Sequence, residues 1–379
     1  MYPALTVVGW LTGGSEAPGS RTGSRLGNPP AVCWVGSETG VEKALVERAG
    51  FPFAAISAAG LRGRGVRAIG RGLVTLARGF WQARQLVAGF RPDVVFVTGG
   101  YVCGPVVVAA WLARVPVVIY LPDVEPGLTI RCLARLARQV AVTTAGSMRF
   151  FRPGQAVVTG YPVRHGLARG EGAEAGAAAR RRLGLTAVSA NGDDLPVVLA
   201  FGGSQGAHSI NQAICDGGAA LLSRAQVVHL TGQRDAQWVA AYRSSLPAGP
   251  RALYHVHAYL DEEMVDALLA ADVVVARAGA STLGELPAVG VPSVLVPYPY
   301  AGAHQWANAR FLAEAGAAVI VADDQVQVQL VPTVVGLLGD AERRAAMSRA
   351  ARGLARPDSA ESIARAVRRG CRDESASPD

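Results

Sequence analysis

Short apolar runs rich in β-branched residues alternate with helical patterns along this chain of 379 residues, four runs in each half. The runs are apolar almost throughout, which is typical of strands that are buried on both faces. Strands of this kind, separated by helices, predict parallel sheets covered by helices on both sides. The two series therefore predict an α/β protein with two Rossmann-like, doubly wound domains that face each other across a cleft.

The domain limits follow from a change in composition between the two series. Residues 169–194 are rich in Ala, Gly, Arg and acidic residues, which suits a linker with one surface helix. We predict an N-terminal domain over residues 1–163 and a second domain over residues 164–345. Residues 346–379 are predicted to form a helix that returns to the N-terminal domain, followed by a tail.

The composition argues against several classes of protein. The five cysteines and six histidines lack the spacing of a metal site, so we expect reduced thiols, no structural metal and a cytosolic setting. The most apolar stretch, residues 105–122, is interrupted by Arg114 and Pro116. A membrane-spanning helix needs about 20 uninterrupted apolar residues, so none is predicted.

Arginines are concentrated between residues 49 and 91, where seven of them occur without any Asp or Glu. Apolar and aromatic residues lie among them, a combination that suits a helix docked on an anionic membrane. The alternatives are a core-packed helix with a solvated basic face, or nucleic acid, although no recognised nucleic-acid-binding motif is present. The residues expected to meet the membrane are Leu73, Leu76, Arg78, Phe80 and Trp81.

A glycine-rich loop, GGSQGA, follows the apolar run at residues 195–201. Its glycine spacing fits neither a dinucleotide fingerprint nor a P-loop. The helix predicted after it begins with free backbone amides that favour an anion, and Ser204 adds a hydroxyl donor. A phosphate site and a plain strand-to-helix turn are equally compatible with this loop alone.

A second strand-to-helix junction, RAGASTLGEL, spans residues 277–286. Its backbone between Gly279 and Thr282 is a second candidate for binding a phosphate oxygen. Glu285 is explained either by a capping box with Thr282 or by hydrogen bonds to the two hydroxyls of a ribose. The junction alone favours the capping box.

A third polar segment begins at His304, where helical spacing would turn His304 and Asn308 to one face with Gln305 beside them. An imidazole and two amides can bind sugar hydroxyls without adding net charge. A solvated polar helix start is the alternative. Three such loops after successive strands favour a ligand site, because ligands of open α/β sheets bind beyond the carboxyl ends of the strands.

These motifs, together with LRGRG, PDVVFVTGGYVCGP and TGYPVRHG in the first half, resemble those of the inverting GT-B glycosyltransferases that make lipid II. The resemblance covers nearly the whole chain. It implies that N-acetylglucosamine is moved from UDP to undecaprenyl-pyrophosphoryl-N-acetylmuramoyl-pentapeptide in peptidoglycan synthesis. It also implies a peripheral protein on the cytoplasmic face of the cell membrane, with UDP-N-acetylglucosamine as a substrate and no cofactor or metal.

The resemblance implies a role for each matched position. Arg164 would contact the nucleotide, Leu260 would lie near the uracil and Glu285 would bind the ribose. Gln305, with His304 and Asn308 beside it, would recognise the sugar. The diphosphate would lie against Ser204, Gln205, Gly279, Ala280, Ser281, Thr282, Leu283 and Gly284. The acceptor would lie against Gly99, Gly100, Tyr101 and Asp123, with its pyrophosphate at the loop of Gly99, Gly100 and Tyr101.

The start of the chain departs from the family pattern. Family members usually begin with a strand and a loop of the form GGTGGHxYPAL, whose His is a candidate catalytic base, whereas this sequence begins MYPAL. Because that strand is central in such a sheet, its absence would leave a gap in the core. We therefore expect the natural protein to begin upstream of Met1.

A second departure is YLPDVEPG at residues 120–127, where Asp123 replaces an asparagine expected to face the acceptor. Asp123 and Glu125 are candidates for the catalytic base, which must lie within hydrogen-bond reach of the acceptor hydroxyl. A pair of acids at a helix start is an equally good explanation. The identity of the acceptor is consequently less constrained than that of the donor.

Other functions remain open at this point. The YLPDVEPG departure favours a related transferase that uses a different lipid or sugar acceptor. The GT-B fold also hosts UDP-N-acetylglucosamine 2-epimerases, against which the cluster of arginines and aromatic residues argues. A non-catalytic nucleotide-binding protein is a further alternative if the chain truly starts at Met1.

Overall fold

The computed structural model describes residues 2–13, 30–38, 42–58, 66–164, 166–167, 173–188, 192, 194–203, 205–300 and 304–371. The chain divides into two compact units, one formed by Met1–Pro162 with Asp358–Asp379 and the other by Val163–Pro357. The returning segment thus begins at Asp358, later than the predicted residue 346. The reason is that Met347 belongs to the hydrophobic core of the second unit.

The first unit contains six strands and six helices among the described residues. The strands are β1 (Trp34–Ser37), β2 (Phe53–Ile56), β3 (Val95–Val97), β4 (Val117–Leu121), β5 (Gln139–Val142) and β6 (Ala156–Val158). The helices are α1 (Tyr2–Thr12), α2 (Glu42–Arg48), α3 (Val66–Phe90), α4 (Cys103–Leu112), α5 (Leu128–Leu133) and α16 (Ser359–Gly370). Two 3-10 helices span Ala134–Leu136 and Ala145–Phe150.

The second unit contains the remaining strands and helices. Its strands are β7 (Val197–Phe201), β8 (Gln226–Leu230), β9 (Tyr254–His257), β10 (Val273–Ala276), β11 (Ser293–Leu295) and β12 (Ala318–Ile320). Its helices are α6 (Ala173–Arg182), α7 (His208–Asp216), α8 (Gly218–Leu222), α9 (Ala236–Ser245), α10 (Ala248–Ala252), α11 (Glu263–Ala270), α12 (Thr282–Val289), α13 (His304–Glu314), α14 (Val326–Gly339) and α15 (Ala341–Gly353), with a 3-10 helix at Asp323–Gln325.

The predicted parallel pairing is confirmed in both units. The second unit has one six-stranded sheet in the order β12-β11-β10-β7-β8-β9, in which every pair is parallel. All residues of β7, β8 and β10 are buried. Burial on both faces explains why these strands consist mainly of Val, Leu and Ala rather than alternating apolar and polar residues.

The first unit contains two separate parallel sheets, β1-β2 and β3-β4-β5-β6. Within the described ranges, β1 and β3 have no strand paired to their other edge. A cavity of about 880 Å³ is lined by residues of both strands.

The long helix α3 ends where the backbone leaves the helical region. Arg91 adopts φ of +52°, and the next residue, Pro92, cannot continue a helix because it lacks an N–H group. Over the described part of the chain, no helix combines the length and the apolar character that a bilayer crossing requires.

Candidate functional site

The predicted site residues of the second unit follow strands that are neighbours in its sheet. The loops after β7, β8, β10 and β11 leave the sheet at its carboxyl edge, because these four strands are adjacent and parallel. The GGSQGA loop follows β7, the RAGAST loop follows β10 and the segment before α13 follows β11. The sequence-predicted loops therefore meet at one edge of one sheet, which is where ligands of such sheets bind.

The GGSQGA loop is shaped by glycines that no other residue can replace without strain. Gly203 and Gly206 have φ of +85° and +77°, a region that L-residues rarely adopt. A Cβ atom on Gly206 would overlap the carbonyl oxygen of Thr231, and one on Gly202 would overlap the backbone of Ala207. The loop thus passes very close to the end of β8. Ser204 lies outside the described residues, and Gln205 is exposed.

Helix α7 begins directly after this loop without a capping side chain, since its N-cap residue is Ala207. Its position is fixed from the side by Asp235, which accepts a hydrogen bond of 2.8 Å from Asn211 Nδ2 and lies 3.1 Å from His208 Nδ1. Burial acts to raise the pKa of Asp235, but hydrogen bonds to its carboxylate outweigh burial and lower that pKa. The start of α7 is therefore held rigidly while its first amides remain uncapped by a side chain.

Asn211 is also hydrogen-bonded to the buried imidazole of His229, which belongs to β8. His229 Nε2 lies 3.0 Å from Asn211 Oδ1, and His229 Nδ1 lies 2.6 Å from the hydroxyl of Tyr254. Burial lowers the pKa of His229 to about 4. The imidazole is therefore neutral near pH 7, with one ring nitrogen as donor and the other as acceptor.

Arg277, which the sequence analysis did not assign, follows β10 and connects the start of α7, the end of β11 and the 3-10 helix after β12. Its guanidinium donates to Asp323 Oδ1 at 2.6 Å, to the carbonyl oxygen of Val296 at 3.2 Å and to Ser209 Oγ at 2.9 Å. Only 10% of the Arg277 side chain is exposed. The sequence feature that could have identified Arg277 was its position immediately after a buried strand. Its acidic partner lies 46 residues further along the chain, which local spacing does not reveal.

The start of α12 is organised differently from the predicted capping box. Thr282 Oγ1 donates to the carbonyl oxygen of Gly279 at 2.7 Å, and the N-cap is Ser281. The capping-box alternative is wrong, because Glu285 then lies at the fourth helical position instead of the third.

The backbone amides of this turn divide into two groups. Those of Thr282, Leu283 and Gly284 donate to carbonyls within the turn at 3.0 to 3.1 Å. In the described residues, no hydrogen bond is found for the amides of Gly279, Ala280 and Ser281. The predicted phosphate-binding backbone is thereby narrowed to its first three residues, 279–281.

Glu285 forms a buried ion pair with Arg164. Arg164 Nε donates to Glu285 Oε1 at 3.2 Å, and 9% of the Glu285 side chain is exposed. Burial raises the pKa of Glu285, while the charge and hydrogen bond of Arg164 act to lower it. Arg164 also donates to the carbonyl oxygen of Asp261 at 3.0 Å, beside the buried side chain of Leu260. Three residues predicted for nucleotide binding thus lie together.

The three polar residues at the start of α13 have different surroundings. Asn308 is fully buried and donates to the carbonyl oxygen of Ala278 at 3.0 Å, so it positions the loop after β10. Gln305 Oε1 accepts a hydrogen bond of 2.9 Å from the backbone amide of Tyr298. The Nδ1 atom of His304 is buried, and no hydrogen-bond partner for it is found among the described residues.

In the first unit, the predicted acceptor residues follow the neighbouring strands β3 and β4. Gly99 and Gly100 have φ of +109° and +95°, which explains the glycines, and Tyr101 is 58% exposed. Asp123 is half-buried. Glu125 Oε1 lies 3.6 Å from Arg149 Nη2, so its carboxylate already has a cationic neighbour.

Helix α3 divides the predicted membrane residues between two faces. Phe80 packs against the hydrophobic core of its unit, whereas Trp81 is 61% exposed and Arg78 is exposed. Leu76 is half-buried, and the side chain of Leu73 lies outside what the structure describes.

Val74 belongs to the same outward face, although the sequence analysis did not assign it. Its side chain is 71% exposed, and helical spacing places it with Arg78 and Trp81. Arg84 lies beside this face, with its guanidinium carbon 6.0 Å from the centre of the Trp81 ring.

Comparisons with known proteins agree with this architecture. The glycosyltransferase family 28 N-terminal domain matches residues 11–142, and the C-terminal domain of the same family matches residues 197–363. The solved structure of MurG from Acinetobacter baumannii has a TM-score of 0.72 and 25% identity, covering 97% of this chain and 95% of that one. A UDP-GlcNAc 2-epimerase from Neisseria meningitidis has a TM-score of 0.64 at 12% identity, which shows a shared fold alone.

The two doubly wound units and the matched domains define a glycosyltransferase of the GT-B class. Two relatives, from Roseiflexus sp. (strain RS-1) and Desulforamulus reducens, are 40% and 37% identical over 96% and 97% of this chain and over 91% and 94% of their own length. Both are named UDP-N-acetylglucosamine–N-acetylmuramyl-(pentapeptide) pyrophosphoryl-undecaprenol N-acetylglucosamine transferase. The chain belongs to the family of these N-acetylglucosamine transferases.

Proposed function

We propose that this protein transfers N-acetylglucosamine from UDP to undecaprenyl-pyrophosphoryl-N-acetylmuramoyl-pentapeptide, a step of peptidoglycan synthesis. The donor part of the proposal rests on one observation. Three predicted loops lie at the same edge of one sheet, beside the buried Arg164–Glu285 ion pair. The identity of both substrates is inferred from the family, because the names of the two relatives specify the donor and the acceptor.

The donor fits the second unit group by group. The open amides of residues 279–281 and the uncapped start of α7 offer donors to a diphosphate. Glu285 accepts hydrogen bonds from the ribose hydroxyls, and the backbone beside Leu260 meets the uracil. His304 and Gln305 bind the sugar, and the part of the chain that the structure describes offers no hydrogen-bond partner to the buried Nδ1 of His304. Asn308 does not contact the sugar in this proposal; its hydrogen bond to the carbonyl oxygen of Ala278 positions the loop after β10.

The reaction is an in-line displacement of UDP by the acceptor hydroxyl, with inversion at the anomeric carbon. As the bond to UDP breaks, negative charge grows on the leaving diphosphate. Backbone amides already oriented toward that position stabilise this charge without reorganisation. We propose that transfer needs no divalent ion. An activity lost on treatment with EDTA and restored by one divalent ion would contradict this part.

For the base we prefer Asp123 to Glu125. Asp123 stands where the family pattern has an asparagine that is expected to face the acceptor, and the base must lie within hydrogen-bond reach of the acceptor hydroxyl. Gly99, Gly100 and Tyr101 remain the proposed contacts of the acceptor pyrophosphate. Asp123→Asn should lower kcat while leaving UDP affinity unchanged, and Glu125→Gln provides the matched control.

The acceptor is tested with radiolabelled UDP-N-acetylglucosamine and two separate acceptors, the undecaprenyl-linked muramoyl-pentapeptide and an unrelated glycolipid. Label should enter the muramoyl lipid alone. Label in the glycolipid alone would replace the acceptor but retain the donor. Conversion of the free nucleotide sugar to its 2-epimer without transfer would overturn the proposal.

We also propose that the outward face of α3 docks on the anionic cytoplasmic leaflet, where the lipid-linked acceptor would be presented. Exposed Val74 and Trp81 can enter the interface while Arg78 and Arg84 meet lipid phosphates. Each arginine near such a surface contributes about 1 kcal/mol. The partners are thus the two substrates and an anionic membrane, and nucleic acid is not among them.

Flotation with vesicles tests the docking face. Trp81→Ser and Val74→Ser should each lower recovery with anionic vesicles, and recovery should fall as salt rises. Val328→Ser is the matched control, since Val328 is equally exposed, at 72%, but lies on α14. Equal recovery with neutral and anionic vesicles would remove the electrostatic part, and equal loss in the control would remove the role of α3.

A further inference from the structure

Two arginines of the first unit pack on one aromatic ring beside the carboxyl edge of the β3-β4-β5-β6 sheet. The guanidinium carbons of Arg131 and Arg149 each lie 4.9 Å from the centre of the Phe150 ring, so the two cations are no more than twice that distance apart. The Arg149 side chain is 66% exposed, and Arg131 is exposed as well. Stacking on the ring restrains both guanidinium groups while their N–H groups remain able to bind an anion.

Hydrogen bonds tie the segments that carry the two arginines to the loop after β4. Arg131 Nε donates to the carbonyl oxygen of Pro126 at 3.0 Å. A guanidinium has five N–H donors, so this bond leaves four. Ser147 Oγ donates to the carbonyl oxygen of Val124 at 2.7 Å, which joins the 3-10 helix of Arg149 to the same loop. Both arginines are therefore held beside the loop that also carries Asp123.

The charge around these arginines is positive overall. Residues 123–152 contain five arginines and two acidic residues, Asp123 and Glu125. Glu125 Oε1 lies 3.6 Å from Arg149 Nη2, which is too long for a hydrogen bond, so Glu125 does not occupy the donors of Arg149. An excess of positive charge on a local surface favours an anionic ligand.

The arginines lie at the same sheet edge as the proposed acceptor residues. The loop of Gly99 and Gly100 follows β3, Asp123 follows β4 and Arg149 follows β5, and these three strands are consecutive neighbours. Neighbouring strands lie about 4.8 Å apart, so the loop after β5 lies about 10 Å from the glycine loop along the edge. A sugar ring with a substituent on each side can span that distance.

The acceptor of the proposed function carries its pyrophosphate and its peptide on different positions of one sugar ring. A peptide attached through its N-terminus ends in a free carboxylate. We propose that Arg131 and Arg149 form a subsite for a carboxylate of this peptide, which extends along the edge toward β5 when the pyrophosphate lies at the glycine loop. Planar guanidinium groups bind carboxylates through paired hydrogen bonds. This inference rests on the proposed function, because it takes the acceptor from it.

Anionic lipid is the other ligand with suitable chemistry, because Leu128 and Met148 in the same segments are 81% and 42% exposed. The peptide is favoured by the restraint on the two guanidinium groups. Stacking on Phe150 and the bond to Pro126 orient them toward a single anion, whereas a lipid surface is met equally well by unrestrained arginines. The position between acceptor residues also favours the peptide.

The test compares two soluble acceptors with a short lipid chain, one with its natural peptide and one with every peptide carboxylate converted to a carboxamide. Transfer of radiolabel from UDP-N-acetylglucosamine by the whole protein gives KM for each. Arg149→Gln should raise KM for the carboxylate acceptor about tenfold, the lower end for a hydrogen bond to a charged group because Arg149 is exposed. It should leave KM for the carboxamide acceptor and the Kd for UDP unchanged.

Two further variants separate a paired contact from charge alone. Arg149→Lys keeps the charge but loses the planar donors, so it should recover only part of the tenfold difference. Arg152→Gln is the matched control, since it removes an equal charge from an exposed arginine three residues further along, and it should change neither KM. An Arg152→Gln effect as large as that of Arg149→Gln would overturn the subsite.

The remaining outcomes are distinct from one another. An equal rise of KM for both acceptors in Arg149→Gln would overturn the inference, because Arg149 would then act on a group that both acceptors share. Transfer with the same KM for both acceptors would overturn it and leave the proposed function standing. If that result came with a loss of flotation on anionic vesicles in Arg149→Gln, the arginines would belong to a lipid site. Absence of transfer to either acceptor would overturn the proposed function itself.

Discussion

At the scale of single residues, Glu285 shows how burial and charge act in opposite directions on one carboxylate. Burial raises its pKa, and Arg164 acts to lower it. A carboxylate has about four lone-pair sites, so the hydrogen bonds from Arg164 and Ser281 leave capacity for two hydroxyl donors. Ribose hydroxyls would stabilise the ionised form, because hydrogen bonds to a charged group favour that charge.

Glu285→Ala should weaken UDP binding by about 1 to 3 kcal/mol, the usual value of a hydrogen bond to a charged group. This corresponds to a Kd raised about 5- to 150-fold. Calorimetry with UDP measures the change directly.

The control uses 2′-deoxy-UDP, which lacks one of the two hydroxyls. The unsubstituted protein should bind it more weakly than UDP, whereas Glu285→Ala should bind both nucleotides alike. An equal loss in both proteins would mean that Glu285 does not contact that hydroxyl.

At the scale of elements, the loop between β7 and α7 depends on two glycines for different reasons. Gly203 needs only its left-handed conformation, because a Cβ atom there would meet nothing within 4 Å. Gly206 needs that conformation and also a close approach to Thr231. The two positions therefore separate conformational strain from collision with the end of β8.

Gly203→Ala should cost about 1 to 2 kcal/mol of stability, the usual penalty of a left-handed L-residue. Gly206→Ala should cost more and should also weaken UDP binding, because the loop must move away from β8. Denaturant unfolding and calorimetry measure the two effects. Equal costs for the two variants would contradict the close approach.

The network beneath α7 should make stability depend on pH. The pKa of His229 falls from 6.5 to about 4 on folding, so the folded state excludes a proton that the unfolded state binds. Stability is then complete above pH 6.5 and is lost as pH falls toward 4, by about 3 kcal/mol in total.

Denaturant unfolding at pH 7 and pH 5 measures about 2 kcal/mol of this loss, because the remainder falls below pH 5. His229→Gln keeps hydrogen-bonding groups but cannot titrate, so the difference between the two proteins isolates His229 from the acids and from His255 and His257. A pH dependence that is the same in both proteins would contradict the assignment.

At the scale of the whole molecule, docking through α3 should matter only when the acceptor is in a membrane. Trp81→Ser should lower kcat/KM for the undecaprenyl acceptor in anionic vesicles. It should leave kcat/KM unchanged for a soluble acceptor with a short lipid chain, because the α3 face then has no surface to bind. Equal loss with both acceptors, measured by transfer of radiolabel, would assign Trp81 a structural role.

The features predicted correctly from the sequence are those that depend on residues close together in the chain. Strands buried on both faces are visible as apolar runs, and glycine loops are visible by composition, so both parallel domains and the loops after β7 and β10 were predicted correctly. Contacts between distant residues were not. The partner of Arg277 lies 46 residues away, and the burial of Asn308 under the loop after β10 depends on packing that a helical wheel does not contain.

The same limit applies to faces of a helix. Phe80 and Trp81 are adjacent, and composition treated them alike, yet one packs against the core and the other is exposed. The position of the sheet relative to α3 decides which of the two aromatic residues points inward. The sequence does not contain that position.

The first unit is assembled from two parts of the chain, with the whole second unit between them. During synthesis on the ribosome, the second unit is contiguous and can fold as soon as residue 357 has emerged. The contact of α16 with the first unit, in which Gly370 packs on Val118, can form only after the second unit has been synthesised. The first unit is therefore completed last, which departs from the usual order in which N-terminal domains fold first.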